Sequence, residues 1–594
     1  MWLRRRTSIW LLPVVLLKPC IAQINLTYPA NTPAGAMYVQ DNFFGISFEM
    51  QVINTIIGNT PTTIPGPIQA YLGNIRNRTN NPLRLRVGGN SMDNSYYIPT
   101  QTDMISGAVD NVNYSPIQFG PVLIDTISQL GNSIGGAVWD VGLGLAHINA
   151  SLDTTALALY AHNVLGNSLD SYQLGNEPDL YLMQGKRPGQ TNYTVQNLID
   201  DFANVLGQMH SIANLSGAPM AGPEICCEWD LNATLNEGFL GAFKNYLKYI
   251  TVQKYPQVNC PGLPPPPTTL DYYVNHFNVI GLASTWLDGV QTAQQAGINV
   301  SMTEFNTASC GGIPGVSNTF AAALWTIDYV LQLASLGYAS AYIHTREAGV
   351  TYNLFDAPAA GVDPNTPGWT TGTPYHALLV VAEAFHKLTS PIMSVVDLHL
   401  TSPNNTLVGY ALYPTPNATS PRRPPSRFVL FNYANTGTGE FYFTPNYTGI
   451  NPSAGDMAVS VPDGNITVKY LLASDLNANM NISWAGQVVS GGGVLTGDPA
   501  NTTFPKCDGV GGSSCTITVP GPGLALVFLD GEQDSLIATQ NVASATGLAG
   551  GGNGTSAPDG VLFPAAAKKS LDSRVAIAWA ATVLTVLASL VLVF

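Results

Sequence analysis

The chain has 594 residues and a formal net charge of -14, from 23 lysines and arginines against 37 aspartates and glutamates. This length predicts two to four domains, or one large barrel with a smaller partner domain. An acidic chain with few basic residues argues against binding to nucleic acid or to heavily sulfated polyanions, because both ligands normally require patches of lysine and arginine.

The N-terminus has the order of a secretory signal peptide. Three arginines at positions 4–6 precede an apolar run over 9–17, and Cys20 and Ala22 supply the small residues of a cleavage site. We therefore predict that residues 1–22 are a signal peptide and that the mature chain follows the secretory route.

Glycosylation sites and cysteines fit that route. Asn-X-Ser/Thr acceptor sites recur at Asn25, Asn77, Asn149, Asn232, Asn299, Asn417, Asn465 and Asn553. Beyond the signal peptide there remains an even set of cysteines, as in an oxidising compartment: Cys226, Cys227, Cys260, Cys310, Cys507 and Cys515. Cys507 and Cys515 flank a glycine-rich turn and are the predicted pair, and the connectivity of the other four stays open. The sequence contains no Cys-X-X-Cys pattern and no histidine cluster that would suggest a metal site. We therefore expect no metal and no other cofactor.

From residue 41 to 385, short apolar or β-branched runs alternate with longer helix-like segments. The helical patterns cover 154–165, 198–215 and 319–336. The candidate strands are 44–48, 83–87, 137–141, 172–174, 219–221, 270–276, 300–303 and 339–344. Strands that alternate with helices in this number predict an α/β fold, a (β/α)8 TIM barrel.

After residue 386 the pattern changes to short alternating strands separated by glycine, proline, asparagine and serine. This pattern predicts an antiparallel β-sandwich over 386–535. The N-terminal segment 23–40 is a candidate to join the same sandwich.

The C-terminal residues predict attachment to a membrane. A stalk rich in glycine, serine and alanine, with a small-residue attachment region, covers 536–574, and an uninterrupted apolar tail covers 575–594. The tail is long enough to span a bilayer, but no basic residue follows it, and small residues before a polar spacer and an apolar tail are typical of a glycolipid (GPI) attachment signal. A GPI anchor is the prediction, and a single membrane span is the alternative. Both place the folded part of the protein at the extracellular face of the plasma membrane or in the cell wall.

The first candidate catalytic residue is Glu177, which follows a short predicted strand in the sequence Leu174-Gly-Asn-Glu-Pro-Asp179. Residues at the carboxyl ends of barrel strands face the active-site mouth. A carboxyl group there is able to give a proton to a leaving oxygen, and the amide of Asn176 is able to bind a sugar hydroxyl. A surface glutamate in a turn is the alternative for this motif when it is considered alone.

The second candidate is Glu304, at the end of a later predicted strand in Thr303-Glu-Phe-Asn306. Glycoside cleavage requires two carboxyl groups that face one bond, and in retaining enzymes they lie about 5 to 5.5 Å apart. The fourth and seventh strands of a barrel lie on opposite sides of a narrow mouth, so this pair is geometrically suitable.

These two motifs resemble the clan of retaining glycosidases with paired glutamates on strands four and seven. The layout over residues 40–535 resembles glycoside hydrolase family 79, the β-glucuronidase and heparanase family. Supporting features are Phe48-Glu49, Arg86-Val-Gly-Gly-Asn90 and Ser309-Cys-Gly-Gly312. The resemblance implies a TIM barrel with a β domain and the hydrolysis of O-glycosidic bonds.

The resemblance also implies that a loop after strand seven holds the carboxylate of a uronic acid. Here that loop contains Ser309, Gly311 and Gly312, and consecutive glycines allow backbone N–H groups to approach an anion closely. Ser309 stands where related loops carry a tyrosine, which puts side-chain help in doubt. An ordinary turn, constrained by a disulfide at Cys310, is the alternative.

Other polar residues near predicted strand ends complete the candidate shell for sugar hydroxyls. They are Glu49 after strand one, Asp93 after strand two and His276 after strand six. Two of them have structural alternatives, since Glu49 is able to pair with Arg86 inside the barrel and His276 is able to serve as a core or hinge histidine.

The mechanism expected from these residues is double displacement. Burial and the nearby charge of Glu304 would raise the pKa of Glu177 and keep it protonated as the acid, while Glu304 attacks the sugar. The predicted function is the release of β-linked glucuronic acid, or its 4-O-methyl form, from polysaccharides, proteoglycans or glycoprotein glycans. The alternatives are heparanase-like endo-cleavage, a cell-wall transglycosidase, and a non-catalytic carbohydrate-binding surface protein.

Overall fold

The computed structural model describes residues 21–107, 116–146, 150–358, 365, 368–386, 392–401, 405–415, 423–443, 465–500, 502–505 and 515–529. Residues 1–20 of the predicted signal peptide, and the whole predicted stalk, attachment region and apolar tail, lie outside these ranges. Among the helices within them, none has both the length and the apolar composition that crossing a membrane requires.

Eight parallel strands close into a barrel, which confirms the predicted (β/α)8 fold. Strands one to eight are, in chain order, Phe44–Glu49, Leu83–Gly88, Ala137–Leu143, Leu169–Leu174, Met220–Ile225, Leu247–Lys254, Asn299–Phe305 and Ser340–Thr345. Every residue of strands one, two, five and eight is buried. Parallel strands become buried on both faces in this way because their crossover helices cover one face.

The α-helices of the described residues follow the barrel strands and cover the barrel. They are Ile53–Ile57, Gly66–Arg76, Gly89–Asn94, Val122–Ser133, Ala150–Leu165, Val195–His210, Leu231–Thr234, Leu240–Phe243, His276–Ala283, Leu287–Gln295, Phe320–Ser335 and Tyr375–Phe385. Helix Val195–His210 begins with a capping box, in which Thr194 and Asn197 each accept a hydrogen bond from the backbone N–H of the other. Helix Phe320–Ser335 is buried along almost its whole length, because it lies between the barrel and the C-terminal domain.

The sixth strand is Leu247–Lys254, so the prediction of a strand at 270–276 is wrong. The predicted segment is rich in aromatic and β-branched residues, but it leads into helix His276–Ala283. Asn275 caps this helix, because its side chain accepts a hydrogen bond from the backbone N–H of Phe277. A local cap therefore determines the structure here, against the strand-like composition.

The C-terminal residues form the predicted antiparallel β domain. Its larger sheet has the order Val39–Gln40, Ile392–Asp397, Leu407–Pro414, Arg427–Asn432, Gly523–Phe528, Asn465–Leu472, Ser483–Trp484, Gln487–Val489 and Leu495–Thr496, with Thr502–Pro505 also paired to Asn465–Leu472. The second sheet contains Ile21–Asn25, Thr438–Phe443 and Cys515–Pro520. Apolar side chains of both sheets, among them Phe428, Phe441 and Ile517, pack into one core. Two N-terminal segments thus belong to the sheets of this domain.

Short strands complete the described part of the fold. Tyr96–Tyr97, Ile105–Ser106 and Gln118–Phe119 form a small sheet after strand two, and Phe355–Asp356 pairs with Thr370–Thr371 after strand eight.

His276 connects the barrel to the β domain. Its Nδ1 lies 3.0 Å from Asp328 in helix Phe320–Ser335, and its Nε2 lies 3.0 Å from Asp397 at the end of a β-domain strand. Burial lowers the pKa of His276, but the two carboxylates outweigh burial and raise the pKa to about 10. The prediction that His276 follows a barrel strand is therefore wrong, and both ring nitrogens are engaged between the domains.

Disulfide bonds join Cys226 to Cys227 and Cys260 to Cys310. Cys515 is also disulfide-bonded. Cys507 lies outside the described residues, so the pair Cys507 with Cys515 stays a prediction.

Candidate active site

Glu177 stands on a sharp turn directly after strand four. Its backbone adopts a left-handed conformation with φ 49° and ψ 54°, and Pro178 starts the next helical turn. The backbone N–H of Glu177 donates to the carbonyl of Glu224 over 3.0 Å. A left-handed backbone at a residue other than glycine is uncommon and is concentrated at functional sites. The turn holds the carboxyl group at the barrel mouth with 8% of the residue exposed.

Glu304 lies near the end of strand seven, and its carboxylate has two strong donors. Arg86 Nη1 donates to Oε2 over 2.7 Å, and the hydroxyl of Tyr255 donates to Oε1 over 2.8 Å. Nδ1 of His344 lies 3.8 Å from Oε2. Donors on both oxygens orient the group, as a nucleophile requires.

Arg86 links the segments that carry the two glutamates. Besides Glu304, its guanidinium donates to Oδ1 of Asn176 over 2.8 Å, to Oγ of Ser47 over 2.8 Å and to Oε1 of Gln173. The side chain is 1% exposed. One buried cation therefore holds strand seven and the Asn176–Glu177 turn in a fixed relation.

Asn176 lies in the turn before the acid, and its predicted contact with substrate stays a prediction. Its carbonyl oxygen accepts hydrogen bonds from Arg86 and from Nε2 of Gln253, each over 2.8 Å. Its amide nitrogen donates to Oδ1 of Asn90 over 3.3 Å. The oxygen is thus committed to protein partners, and the amide nitrogen is the atom available to a sugar.

Glu177 has an environment that favours the protonated form. Burial, followed by the negative charges of Glu304 and Asp179, raises the pKa of Glu177 to about 7, against the opposing effects of Lys186 and Gln184. This agrees with the expectation from the sequence that burial and the charge of Glu304 would raise this pKa. A carboxyl group with such a pKa is able to donate a proton near neutrality.

The structure adds a third carboxyl group, Glu224 at the end of strand five. It is fully buried and accepts hydrogen bonds from Thr303 over 2.7 Å and from Gln253 over 3.0 Å. Nη2 of Arg86 lies 3.8 Å from it. Burial is the main cause that raises its pKa. Sequence analysis missed this residue because no motif surrounds it, and its position near a strand end was the available signal.

Glu49 is buried at the end of strand one. His344 stands between it and Glu304, with Nε2 3.4 Å from Glu49. The Glu49 carboxylate also accepts hydrogen bonds from the backbone and the hydroxyl of Ser91. Burial raises the pKa of Glu49, but His344, Arg346 and Ser91 together lower it to about 2. Glu49 is placed to orient His344, a role that sequence analysis did not identify, and its predicted contact with sugar stays a prediction.

Asp93 anchors a loop. Its carboxylate accepts hydrogen bonds from the backbone N–H groups of Leu145 over 2.7 Å and Ala146 over 3.1 Å, and Nζ of Lys186 lies 3.4 Å away. Lys186 also donates to Asn90 over 2.7 Å. The structure thus places Asp93 beneath the loops that carry site residues, with 1% of the residue exposed.

The predicted anion loop follows strand seven and has an unusual backbone. Cys310, Gly311 and Gly312 have φ values of 56°, 98° and 79°. Ser309, at its start, donates its backbone N–H to the carbonyl of Gln257 over 3.0 Å. Within the described ranges, the backbone N–H groups of Cys310 and Gly311 have no hydrogen-bond partner. Neighbouring free donors of this kind suit an anion.

Two attachments hold this loop. Cys310 is bonded to Cys260, and the carbonyl of Gly311 accepts hydrogen bonds from Thr351, over 3.1 Å from the backbone and 2.8 Å from the hydroxyl. Thr351 precedes Tyr352, whose ring packs 6.2 Å from that of His344. The loop therefore adjoins the wall of the site that contains His344.

Comparisons with known proteins agree with this geometry. A family model described as the glycosyl hydrolase family 79 C-terminal beta domain matches residues 409–526. A β-glucuronidase of Aspergillus niger is 27% identical over 436 residues, which cover 68% of this chain and 74% of that protein. A β-glucuronidase of Neurospora crassa is 24% identical over 512 residues, which cover 78% of this chain and 87% of that protein.

A solved structure shares the fold. It is a 4-O-α-L-rhamnosyl-β-D-glucuronidase from Fusarium oxysporum 12S, which superposes with a TM-score of 0.65 at 20% sequence identity and covers 85% of this chain and 100% of that chain. At this sequence identity the similarity shows only a shared fold, which is the arrangement of a barrel with a β domain.

Proposed function

We propose that the chain is a retaining hydrolase of glycoside hydrolase family 79 that releases β-linked glucuronic acid, or 4-O-methyl-glucuronic acid, from glycans. One observation carries the proposal: the buried acid Glu177, with its pKa raised to about 7, stands beside a carboxylate, Glu304, that Arg86 and Tyr255 orient. Paired carboxyl groups of these two kinds are what retaining cleavage uses. The similarity to two β-glucuronidases supports glucuronate as the released sugar.

In this mechanism Glu304 attacks the anomeric carbon while Glu177 gives its proton to the glycosidic oxygen. The ester that forms on Glu304 carries no charge, so the repulsion that raises the pKa of Glu177 falls at this step. Glu177 then takes a proton from a water molecule while the water oxygen attacks the anomeric carbon. The ester bond to Glu304 breaks, which frees the Glu304 carboxylate and releases the sugar with its β configuration retained. Arg86 loses its anionic partner in the intermediate, but it still donates to Asn176 and keeps the acid turn in place.

The loop after strand seven supplies the proposed contact to the sugar carboxylate. The free backbone N–H groups of Cys310 and Gly311 bind an anion without a basic side chain. This also fits a chain whose basic residues are few, because a single carboxylate requires less positive charge than a sulfated polymer does. Exo-acting release is therefore favoured over heparanase-like endo-cleavage.

The test is hydrolysis by the full-length chain, produced in a secreting eukaryotic host. The substrates are the 4-nitrophenyl β-glycosides of glucuronic acid, glucose and galactose, with the Glu304→Gln variant as the matched inactive control. Hydrolysis of the glucuronide alone, lost in the variant, supports the proposal. Hydrolysis of a neutral glycoside would keep the mechanism and reject the substrate.

Two further outcomes separate the alternatives. Products larger than the donor, formed from glucuronate-containing oligosaccharides, would indicate a transglycosidase. Sugar binding without turnover, unchanged by Glu304→Gln, would indicate a carbohydrate-binding surface protein.

We propose further that the protein is secreted and held at the cell surface by a GPI anchor. The order of segments in 1–22, 536–574 and 575–594 and the many glycosylation sites support this. Release of activity from intact cells by a phosphatidylinositol-specific phospholipase C is the expected result. Release by detergent alone would favour the single membrane span, and activity found entirely in the medium would reject both forms of attachment.

A further inference from the structure

Two adjacent cysteines, Cys226 and Cys227, form a disulfide beside the acid Glu177. One carboxyl oxygen of Glu177 and the two sulfur atoms all lie within 4.8 Å of one another. Cys226 is buried, whereas Cys227 is exposed. Because both sulfurs are committed to the disulfide, they offer no thiolate ligand to a metal. What they offer instead is a polarisable, uncharged surface next to the acid.

Asp179 fixes this disulfide relative to the acid. Its carboxylate accepts hydrogen bonds from three successive backbone N–H groups, those of Cys226 at 3.2 Å, Cys227 at 2.7 Å and Glu228 at 2.8 Å. Asp179 is two residues from Glu177, whose own N–H donates to Glu224 just before the disulfide. The acid turn and the disulfide segment are therefore joined at two points and keep a constant separation.

The position of the disulfide beside Glu177 determines which part of a bound substrate it contacts. The proton of the acid goes to the glycosidic oxygen, which departs with the leaving group. Arg86, Tyr255 and His344 surround Glu304, on the side of the sugar that is transferred. A surface within 4.8 Å of the Glu177 carboxyl therefore lies where the leaving group must pass.

We propose that the Cys226–Cys227 disulfide is the contact surface of the leaving-group subsite, where it receives the C–H face of an uncharged sugar. The inference rests on the proposed function, since it assigns a leaving group to that same reaction. The sulfur pair carries no charge, and the carboxylate of Asp179 lies beside it, where it accepts the backbone N–H groups of both cysteines. The uncharged sulfur pair itself would give a sulfated or uronic leaving group no charge attraction.

The experiment compares two donors that differ in their leaving group alone. β-D-Glucuronosyl fluoride releases a single atom, which requires neither a contact surface nor a proton from Glu177. A β-D-glucuronosyl-galactose disaccharide releases an uncharged sugar.

For the double variant Cys226→Ser, Cys227→Ser, we expect kcat/KM on the disaccharide to fall about tenfold, mainly through KM, as the loss of one apolar contact predicts. Activity on the fluoride should stay within about twofold, well under the tenfold that corresponds to about 1.4 kcal/mol.

A second double variant, Cys226→Ala, Cys227→Met, returns an apolar sulfur-containing surface without the disulfide and should recover most of the disaccharide activity. Equal losses on both donors would show a purely structural role and overturn the inference, as would unchanged kinetics on both. Failure of the proposed function is distinguishable, because wild-type enzyme would then hydrolyse neither donor, and the inference would fall with it.

Discussion

The hydroxyl of Tyr255 donates to Oε1 of Glu304 over 2.8 Å, while Arg86 occupies the other oxygen. Burial, followed by the charge of Glu304, raises the pKa of Tyr255 far above its usual range, so the phenol stays a donor. We expect Tyr255→Phe to lower kcat/KM on 4-nitrophenyl β-glucuronide about 10- to 100-fold, the range for one hydrogen bond to a charged group. Tyr273→Phe is the control, because Tyr273 donates to the carbonyl of Thr307 over 2.7 Å and not to a carboxylate. Equal losses in both variants would contradict a specific role for Tyr255.

The roles of the two glutamates predict different responses to the leaving group. Glu177→Gln should lose about 10²- to 10⁴-fold on glycan substrates, the usual contribution of a general acid. It should keep its first chemical step on glucuronosyl fluoride, which requires no proton. Glu304→Gln should be inactive on both substrates, because no nucleophile remains. Stopped-flow measurement of fluoride release checks this, and a fluoride-active Glu304→Gln would reverse the assignment.

The raised pKa of Glu177 predicts the alkaline limb of the pH profile. The group must be protonated to act as an acid, so kcat/KM on the disaccharide should fall as the pH rises through about 7. Glucuronosyl fluoride should lack this limb, and it serves as the control on the same enzyme. A limb shared by both substrates would assign the titration to another group.

The ion pairs of His276 should stabilise the folded protein by an amount that depends on pH. Its pKa in the folded protein is raised from 6.5 to about 10, so the stabilisation is fully present below pH 6.5 and is lost as the pH rises towards 10. His276→Gln leaves Asp328 buried with a neutral partner and should cost about 3 to 5 kcal/mol of unfolding free energy at pH 6. The cost should be smaller at pH 9. Urea unfolding at both pH values measures it.

His399→Gln is the control for that measurement. His399 also contacts Asp397, at 3.2 Å, but its side chain is 64% exposed, and exposed pairs contribute little. A similar loss in the two variants would contradict the importance of the buried pairs.

The anion loop offers a matched pair of glycines. A Cβ at Gly312 would lie 2.6 Å from Oγ1 of Thr351 and 2.7 Å from Oγ of Ser317, whereas one at Gly315 meets nothing within 4 Å. Both glycines have positive φ, 79° and 76°, so the backbone cost of alanine is similar. We expect Gly312→Ala to raise KM for the glucuronide about tenfold, as a lost contact of about 1.4 kcal/mol would, and Gly315→Ala to change it little. Equal effects would argue against a carboxylate contact at this loop.

Local sequence was sufficient to predict seven of the barrel strands and the positions of Glu177 and Glu304, because each strand end and each motif lies within a few residues. The roles of Arg86 and Glu224 depend on barrel closure. Arg86 and Glu304 are 218 residues apart, and the sequence around either residue does not indicate that the two side chains are in contact. The sixth strand was missed for a related reason, since composition alone does not reveal that Asn275 caps a helix.

The pairing of residues 23–25 with residues 440–442 has a consequence for biosynthesis. Gln23 and its hydrogen-bond partner Glu440 are 417 residues apart. At ribosomal rates of about 5 to 20 residues per second, the first strand waits roughly 20 to 80 seconds before its partner is made. During that time the strand has an unpaired edge. The β domain is therefore completed after the barrel has been translated, and the two ends of the chain mature together.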